Sequence, residues 1–222
     1  MYHFVFNEEN TFCISLFSHH NRWEKMQARF SKLGLSVTRW KAAKANTSDV
    51  KDNFYHYLNP GQRACSQSHI NLWRYIASDE YKHPYALILE DDACFDKDWK
   101  NKLNKFNEDV VDAQLDAVFL NVSEPIKEQN KWTIAHEQYL TGGYIITKKG
   151  CDNILRMFHG NYASSDWMTS RLQRLNHSYS YFPWLIIQDG AETTIGSNVT
   201  PDHEKVVRCL SEINYSLDNY II

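Results

Sequence analysis

Three consecutive acids, Glu90-Asp91-Asp92, follow the apolar run Tyr85-Ala86-Leu87-Ile88-Leu89. A run of that length reads as a buried strand, so the acids emerge at its carboxyl end, where open α/β sheets bind ligands. Adjacent carboxylates repel one another and are tolerated most easily where a cation neutralises them. Mg2+ and Mn2+ take hard oxygen ligands and commonly sit between one or two protein carboxylates and the phosphates of a substrate. Along an extended chain Glu90 and Asp92 point one way and Asp91 the other. One pair can therefore face a metal while the third acid braces a neighbour. The same residues could instead begin a solvated turn before Phe95, and Asp96 and Asp98 read as surface or N-cap positions.

Four other groups could carry chemistry. Ser68-His69 lies inside a helical stretch, where His69 could equally be a packing histidine and Ser68 could back-bond within the helix. Thr141-Gly142-Gly143 precedes a strand, and paired glycines permit a close backbone approach to a ligand, a bulge or a tight turn. Ser164-Ser165-Asp166-Trp167 opens a short helix, so Asp166 is either a first-turn residue beside an N-cap or a general base for an attacking hydroxyl. Arg22, after the first strand, could meet a phosphate bidentately or cap the sheet.

The elements that must position these residues alternate between strand and helix, which argues for an α/β layer fold. Phe12 to Phe17 reads as a buried strand. Trp23, Met26, Phe30 and Leu33 make a helical stripe closed by Gly34 as a C-cap, and Leu35 to Trp40 alternates as a half-buried strand. Asn59-Pro60-Gly61 ends a polar loop over 44–60, and a second helix runs from about Gln62 to Ser78. After Tyr85 to Leu89 come a stripe of Trp99, Leu103, Phe106 and Val110, a strand over Ala117 to Leu120, and a polar loop from Ser123 to Tyr139. A strand from Tyr144 to Thr147, a helix carrying Cys151, Ile154, Leu155 and Phe158, a helix around Asp166 to Leu175 and a strand near Tyr179 to Phe182 follow. Beyond Gln188 the periodicity is weak.

Composition narrows the field. At 222 residues, 43% hydrophobic and 23% charged, the chain suits one globular domain. A net charge of −3 lacks the basic excess of a nucleic-acid groove. No stretch approaches the apolar length of a membrane span, and the N-terminus lacks the form of a signal peptide. Five scattered cysteines without a C-x-x-C pair read as reduced thiols in a cytoplasmic compartment, where the five N-x-S/T triplets would carry no glycan. No Walker loop, Asp-x-Asp-x-Thr motif or glycine-rich pyrophosphate loop is present, which removes support from other phosphate enzymes.

In their order these segments resemble glycosyltransferase family 25, which contains bacterial lipooligosaccharide galactosyltransferases and procollagen galactosyltransferases. The resemblance covers about residues 10–200. It is carried by Ile14-Ser15-Leu16 leading to Arg22, Trp40-Lys41-Ala42-Ala43, Gly61 to Cys65 with Ser68-His69, Leu87 to Asp92, Gly143 to Ile146, Asp166, and Pro183 to Gln188 with Ser197. Its most specific part is the Ser-His helix followed about twenty residues later by the apolar strand and its acids. Phe17-Ser18-His19-His20 departs from the family pattern, and the C-terminal end is short.

The resemblance implies a GT-A-like α/β fold: a central, mostly parallel (mixed) sheet with helices on both faces, formed by residues 1–222 whether or not they belong to a longer chain. It implies a metal-dependent, inverting transfer of galactose or glucose from a UDP-sugar to a hydroxyl of a glycan, glycolipid or glycoprotein. In that reading Asp92, with Glu90 or Asp91 beside it, holds Mn2+ or Mg2+ on the donor diphosphate, and Asp166 is the base, with Asp189 and Glu192 in reserve. Arg22, Ser68 and His69 line the donor site with Glu90 and Asp91, while Gly142 and Gly143 border the acceptor, with Tyr144 or Trp167 stacking on sugar faces. The alternative is a domain of the same fold that binds carbohydrate or nucleotide sugar without catalysis.

Overall fold

The computed structural model describes residues 2–110, 114–121, 131–189 and 200–222. The chain opens with β1 (Thr11–Ser15), α1 (His20–Leu33), β2 (Thr38–Lys41), α2 (Pro60–Ala77) and β3 (Tyr85–Glu90). In this first half β1 pairs in parallel with β2 on one side and β3 on the other, so its helices act as crossovers. Gly34 ends α1 in the left-handed region at φ 58°, as expected for a C-cap glycine. The helix expected from Gln62 begins two residues earlier. Asn59 is its N-cap in a reciprocal capping box with Gln62, and Pro60 occupies the first turn, where its missing N–H costs nothing.

At the acids the chain changes sheets. β4 (Ala93–Asp96) joins β9 (Ile186–Gln188) and β10 (Tyr220–Ile221) in a small antiparallel sheet. The stripe from Trp99 to Val110 is broken into α3 (Trp99–Asn104) and α4 (Phe106–Asp109). The large sheet is completed by β5 (Ala117–Phe119), β6 (Lys131–Ile134), β7 (Gly143–Thr147) and β8 (Ser178–Phe182), in the order β2-β1-β3-β7-β5-β8-β6. The expected mixed sheet is present. Its parallel and antiparallel pairings are equally represented, because β7 runs against both β3 and β5 and β6 against β8. β6 replaces part of the loop expected over Ser123 to Tyr139; residues 135–139 are irregular as expected, and 123–130 lie outside the described residues.

Helices α5 (Lys148–Met157), α6 (Ser165–Leu172) and α7 (Thr200–Glu212) complete the chain. Strand side chains alternate between two cores. Phe12, Ile14, Ile88, Tyr144, Ile146 and Phe119 face a core built with α2 and α5. Cys13, Leu87, Leu89, Ile145 and Val118 face one built with Met26 and Phe30 of α1 and Trp99 and Leu103 of α3. Helices thus cover both faces of the sheet, the GT-A-like α/β layering that the resemblance implied.

Candidate functional site: an acidic turn between two sheets

The turn of Glu90, Asp91 and Asp92 is held at both ends by backbone hydrogen bonds. The Glu90 N–H donates to the Gly142 carbonyl at 3.1 Å, and the Asp189 N–H donates to the Asp92 carbonyl at 3.0 Å. The first bond continues the β3–β7 ladder and the second continues β4–β9, so each acid is fixed by a different sheet. Behind the turn lies Arg29, 5% exposed. Its guanidinium donates to the Ala93 carbonyl at 3.1 Å and pairs with Asp189 at 2.8 Å. Asp189, the reserve base of the sequence reading, is therefore engaged in a buried ion pair that anchors the acids. Glu192 and Ser197 lie outside the described residues.

Asp91 and Asp92 form a turn rather than the extended run on which the alternation rested, yet Glu90 and Asp92 still meet at one group. Glu90 and Asp92 share one neighbour, the Gln188 amide nitrogen, which lies 3.5 Å from Glu90 Oε2 and 3.3 and 3.2 Å from the two oxygens of Asp92. Asp91 braces Arg22, whose guanidinium is 2.5 Å from Asp91 and 3.6 Å from Asp92. Arg22 is thus brought to the acids, as expected of a residue of the same site.

Burial and mutual repulsion drive these carboxylates apart in character. Burial, then the charge of Glu90, pushes Asp92 up to about 7, with Arg22 opposing. Burial also raises Asp91 above its ordinary value against the pull of Arg22. For Glu90 burial is the largest single influence and raises it. It is outweighed by the His69 and Thr141 hydrogen bonds and by the charge of Arg22, so Glu90 is held below the usual carboxylate range.

His69 is fully buried on α2. Its Nε2 lies 3.0 Å from Glu90 Oε1 and its Nδ1 2.8 Å from the Tyr144 hydroxyl. It therefore reaches the site through Glu90. Ser68 takes the back-bonded arrangement: its hydroxyl donates to the Ala64 carbonyl at 2.7 Å and accepts the Ala43 N–H at 2.8 Å, tying the segment after β2 to the helix. Cys65, one turn before His69, completes a group with His69 and Glu90 whose ligand-type atoms lie within 4.8 Å of one another. Burial raises that thiol well above its ordinary value, and both imidazole nitrogens are already bonded, which does not suit a thiolate metal centre.

Asp166 lies in the first turn of α6 and accepts the Trp167 N–H at 2.7 Å. The preceding Ser164 makes no side-chain cap. Ser165 links this helix to the acids: its hydroxyl lies 3.2 Å from that of Thr141, which donates to Glu90 Oε1 at 2.6 Å. The glycine pair has a packing cause. A β-carbon on Gly143 would lie 2.4 Å from Ile186 Cδ1, and one on Gly142 2.8 Å from Asn121 Nδ2 and 2.9 Å from Gln188 Cγ. Tyr144 is buried in the core, whereas Trp167 is partly exposed beside Asp166.

Sequence reasoning missed Arg29 and Gln188 as parts of the site, and Thr141 as more than a neighbour of the glycines. Their partners lie far along the chain, with 160 positions between Arg29 and Asp189 and 98 between Gln188 and Glu90. No local spacing signals such pairs.

The donor set suits a hard divalent cation. Two carboxylates flank a single amide nitrogen, and one of them is pushed up to about 7, a penalty that a cation between them would relieve. Asp92 and Glu90 are the residues that would hold it.

Comparison with known proteins identifies the family. Residues 8–137 match the family described as glycosyltransferase family 25 (LPS biosynthesis protein). Mouse procollagen galactosyltransferase 2 is 30% identical over 44% of this chain and 17% of its own length. A glycosyltransferase 25 family member of Drosophila melanogaster is 26% identical over 66% of this chain and 28% of its own. The chain thus spans less than a third of these relatives. Among solved structures, a glycosyltransferase involved in the glycosylation of the major capsid of PBCV-1 overlays 88% of this chain and 97% of its own at 10% identity and a TM-score of 0.39.

Proposed function

This chain belongs to glycosyltransferase family 25, and from that premise we propose that it transfers galactose or glucose from a UDP-sugar to a hydroxyl of a glycan, glycolipid or glycoprotein. The observation that carries the proposal is the placement of Glu90 and Asp92 against the same Gln188 amide nitrogen at the carboxyl end of β3. Mn2+ or Mg2+ held there would neutralise the charge that develops on the departing UDP.

The chain's own residues do the rest. Arg22, partly exposed beside Asp91 and Asp92, orients the diphosphate by charge-assisted hydrogen bonds. His69 and Thr141 hold Glu90 ionised and fixed. Ser68 contributes to the donor site through the backbone of Ala43. Asp166 takes the proton of the acceptor hydroxyl as that oxygen attacks the anomeric carbon from the face opposite UDP, which gives inversion. Trp167 offers its ring to a sugar face. Five free thiols support a reducing, cytoplasmic setting as part of the same proposal.

The test is a thermal-shift series with UDP-galactose, UDP-glucose, GDP-mannose, UDP and ATP, each with Mn2+ and with EDTA, followed by UDP-release kinetics. A ligand at a hundred times its Kd stabilises by roughly 2.7 kcal/mol. A UDP-sugar should raise the melt only with metal. Asp166→Asn should keep that shift while UDP release falls by roughly 100- to 10,000-fold. Stabilisation without UDP release in the wild type would favour the non-catalytic binding domain. No shift with any nucleotide sugar would end the proposal.

A further inference from the structure

Two chains of buried hydrogen bonds converge on the same oxygen of Glu90, and their polarity can be worked out from donor chemistry alone. The Trp73 indole N–H can only donate, and it lies 2.9 Å from the Tyr144 oxygen. Among the described residues the hydroxyl proton of Tyr144 has one acceptor, His69 Nδ1 at 2.8 Å; a proton on Nδ1 would leave that buried hydroxyl without one, so Nδ1 accepts and the ring proton sits on Nε2. Nε2–H donates to Glu90 Oε1 at 3.0 Å. From the other side the Thr141 hydroxyl donates to the same Oε1 at 2.6 Å, which leaves the Thr141 oxygen to accept from Ser165 at 3.2 Å.

Trp73, His69 and Tyr144 are all fully buried, so no solvent competes for these protons. Oε1 receives two short bonds. Among the described residues Oε2 receives only the Gln188 amide at 3.5 Å, on the side shared with Asp92.

We infer that His69 is a positioning residue whose tautomer, fixed by Trp73 and Tyr144, commits Glu90 Oε1 to the protein and leaves Oε2 as the single oxygen that Glu90 offers to a divalent cation. The inference rests on the metal-dependent reading given above. It adds that Tyr144, a buried core residue that reaches Glu90 through His69, sets which oxygen of that carboxylate is left for a cation. Hydrogen-bonding partners of ligand groups typically control metal affinity by roughly 10- to 100-fold.

The first measurement needs no metal. Long-range nitrogen–proton correlation on histidine-labelled protein in EDTA, with the signal assigned by its loss in His69→Gln, should show His69 Nε2 protonated and Nδ1 bare. A proton on Nδ1 would overturn the inference. The second measurement is a Mn2+ titration followed by the free-ion paramagnetic resonance signal. Tyr144→Phe and His69→Leu should weaken binding by roughly 10- to 100-fold, whereas His69→Gln, which keeps an N–H donor for Glu90, should bind close to wild type. If Tyr144→Phe does not fold, Thr141→Val, which removes the other donor to Oε1, decides the same point. Wild-type affinity in both Tyr144→Phe and His69→Leu would defeat the inference and leave the metal reading intact. A wild type that binds no Mn2+ would defeat both.

Discussion

Replacing Asp92 with Asn should make the metal-free protein more stable while removing its affinity for a divalent cation. Asp92 is raised from 3.8 to about 7 by burial and by the charge of Glu90. Its folded state therefore holds a proton more tightly than the unfolded chain does. The sign follows directly: stability associated with this group is present at low pH and is lost as pH rises through about 7. Above that value the folded protein carries an unfavourable buried charge. At about 1.4 kcal/mol per pKa unit the shift corresponds to an upper bound of about 4 kcal/mol. Relaxation and partial hydration of a side chain that is 17% exposed reduce this to about 1–3 kcal/mol.

Urea denaturation in EDTA at pH 8 and pH 5 measures it. Asp92→Asn should exceed wild type by about 1–3 kcal/mol at pH 8. By pH 5 most of that gap should close, because wild-type Asp92 is then protonated in the folded state and still largely ionised in the unfolded one. Ordinary titrations elsewhere cancel in the difference. A gap of the same size at both pH values would refute the assignment of the strain to Asp92. An Asn variant less stable than wild type at pH 8 would refute the claim that the charge is costly at all.

Two other substitutions test what holds the turn. Arg29→Met removes the buried cation that pairs with Asp189 at 2.8 Å, so it should cost about 3–5 kcal/mol and lower the Tm by roughly 6–20 °C; Arg29→Met with Asp189→Leu should recover a substantial part, and a double mutant no better than the single would show that the pair is not coupled. Gly143→Ala should cost about 1–3 kcal/mol by driving its methyl into Ile186, and Ile186→Val, which removes the Cδ1 atom of that clash, should relieve it; calorimetry of the two single variants and the double variant checks both statements.

What the sequence disclosed was local. Tyr85 to Leu89 is an unbroken apolar run and forms the central strand β3 with its acids at the carboxyl end. Gly34 closes α1 because only a residue without a β-carbon takes that conformation without penalty. Where one residue type serves two purposes the reading slipped. Asn59-Pro60, a loop signal by composition, is the N-cap and first turn of α2. Asp96, which with Asp98 reads as a surface or N-cap residue, is 1% exposed, because Lys102 at 2.6 Å and the Tyr215 hydroxyl compensate its charge, whereas Asp98 takes the N-cap position of α3. Tyr215 is 119 positions away, and no periodicity encodes such a partner. The weakly periodic stretch after Gln188 contains α7 and β10, and β10 finds its place only through β4.

The same distinction explains the acidic turn. Local sequence places three carboxylates at one strand end, and taken alone that is a cost. The compensation is non-local: Arg22 from α1 for Asp91, Arg29 with Asp189 behind the turn, and His69 with Thr141 for Glu90. These partners relieve Asp91 and Glu90 more completely than Asp92, whose carboxylate is the one pushed up to about 7. A scaffold selected for stability alone would have neutralised that group, which the Arg22 contact at 3.6 Å compensates incompletely. Retaining it at the carboxyl end of the central strand, next to a second carboxylate whose Oε2 is held only by the long Gln188 contact among the described residues, gives incoming positive charge its largest energetic return there.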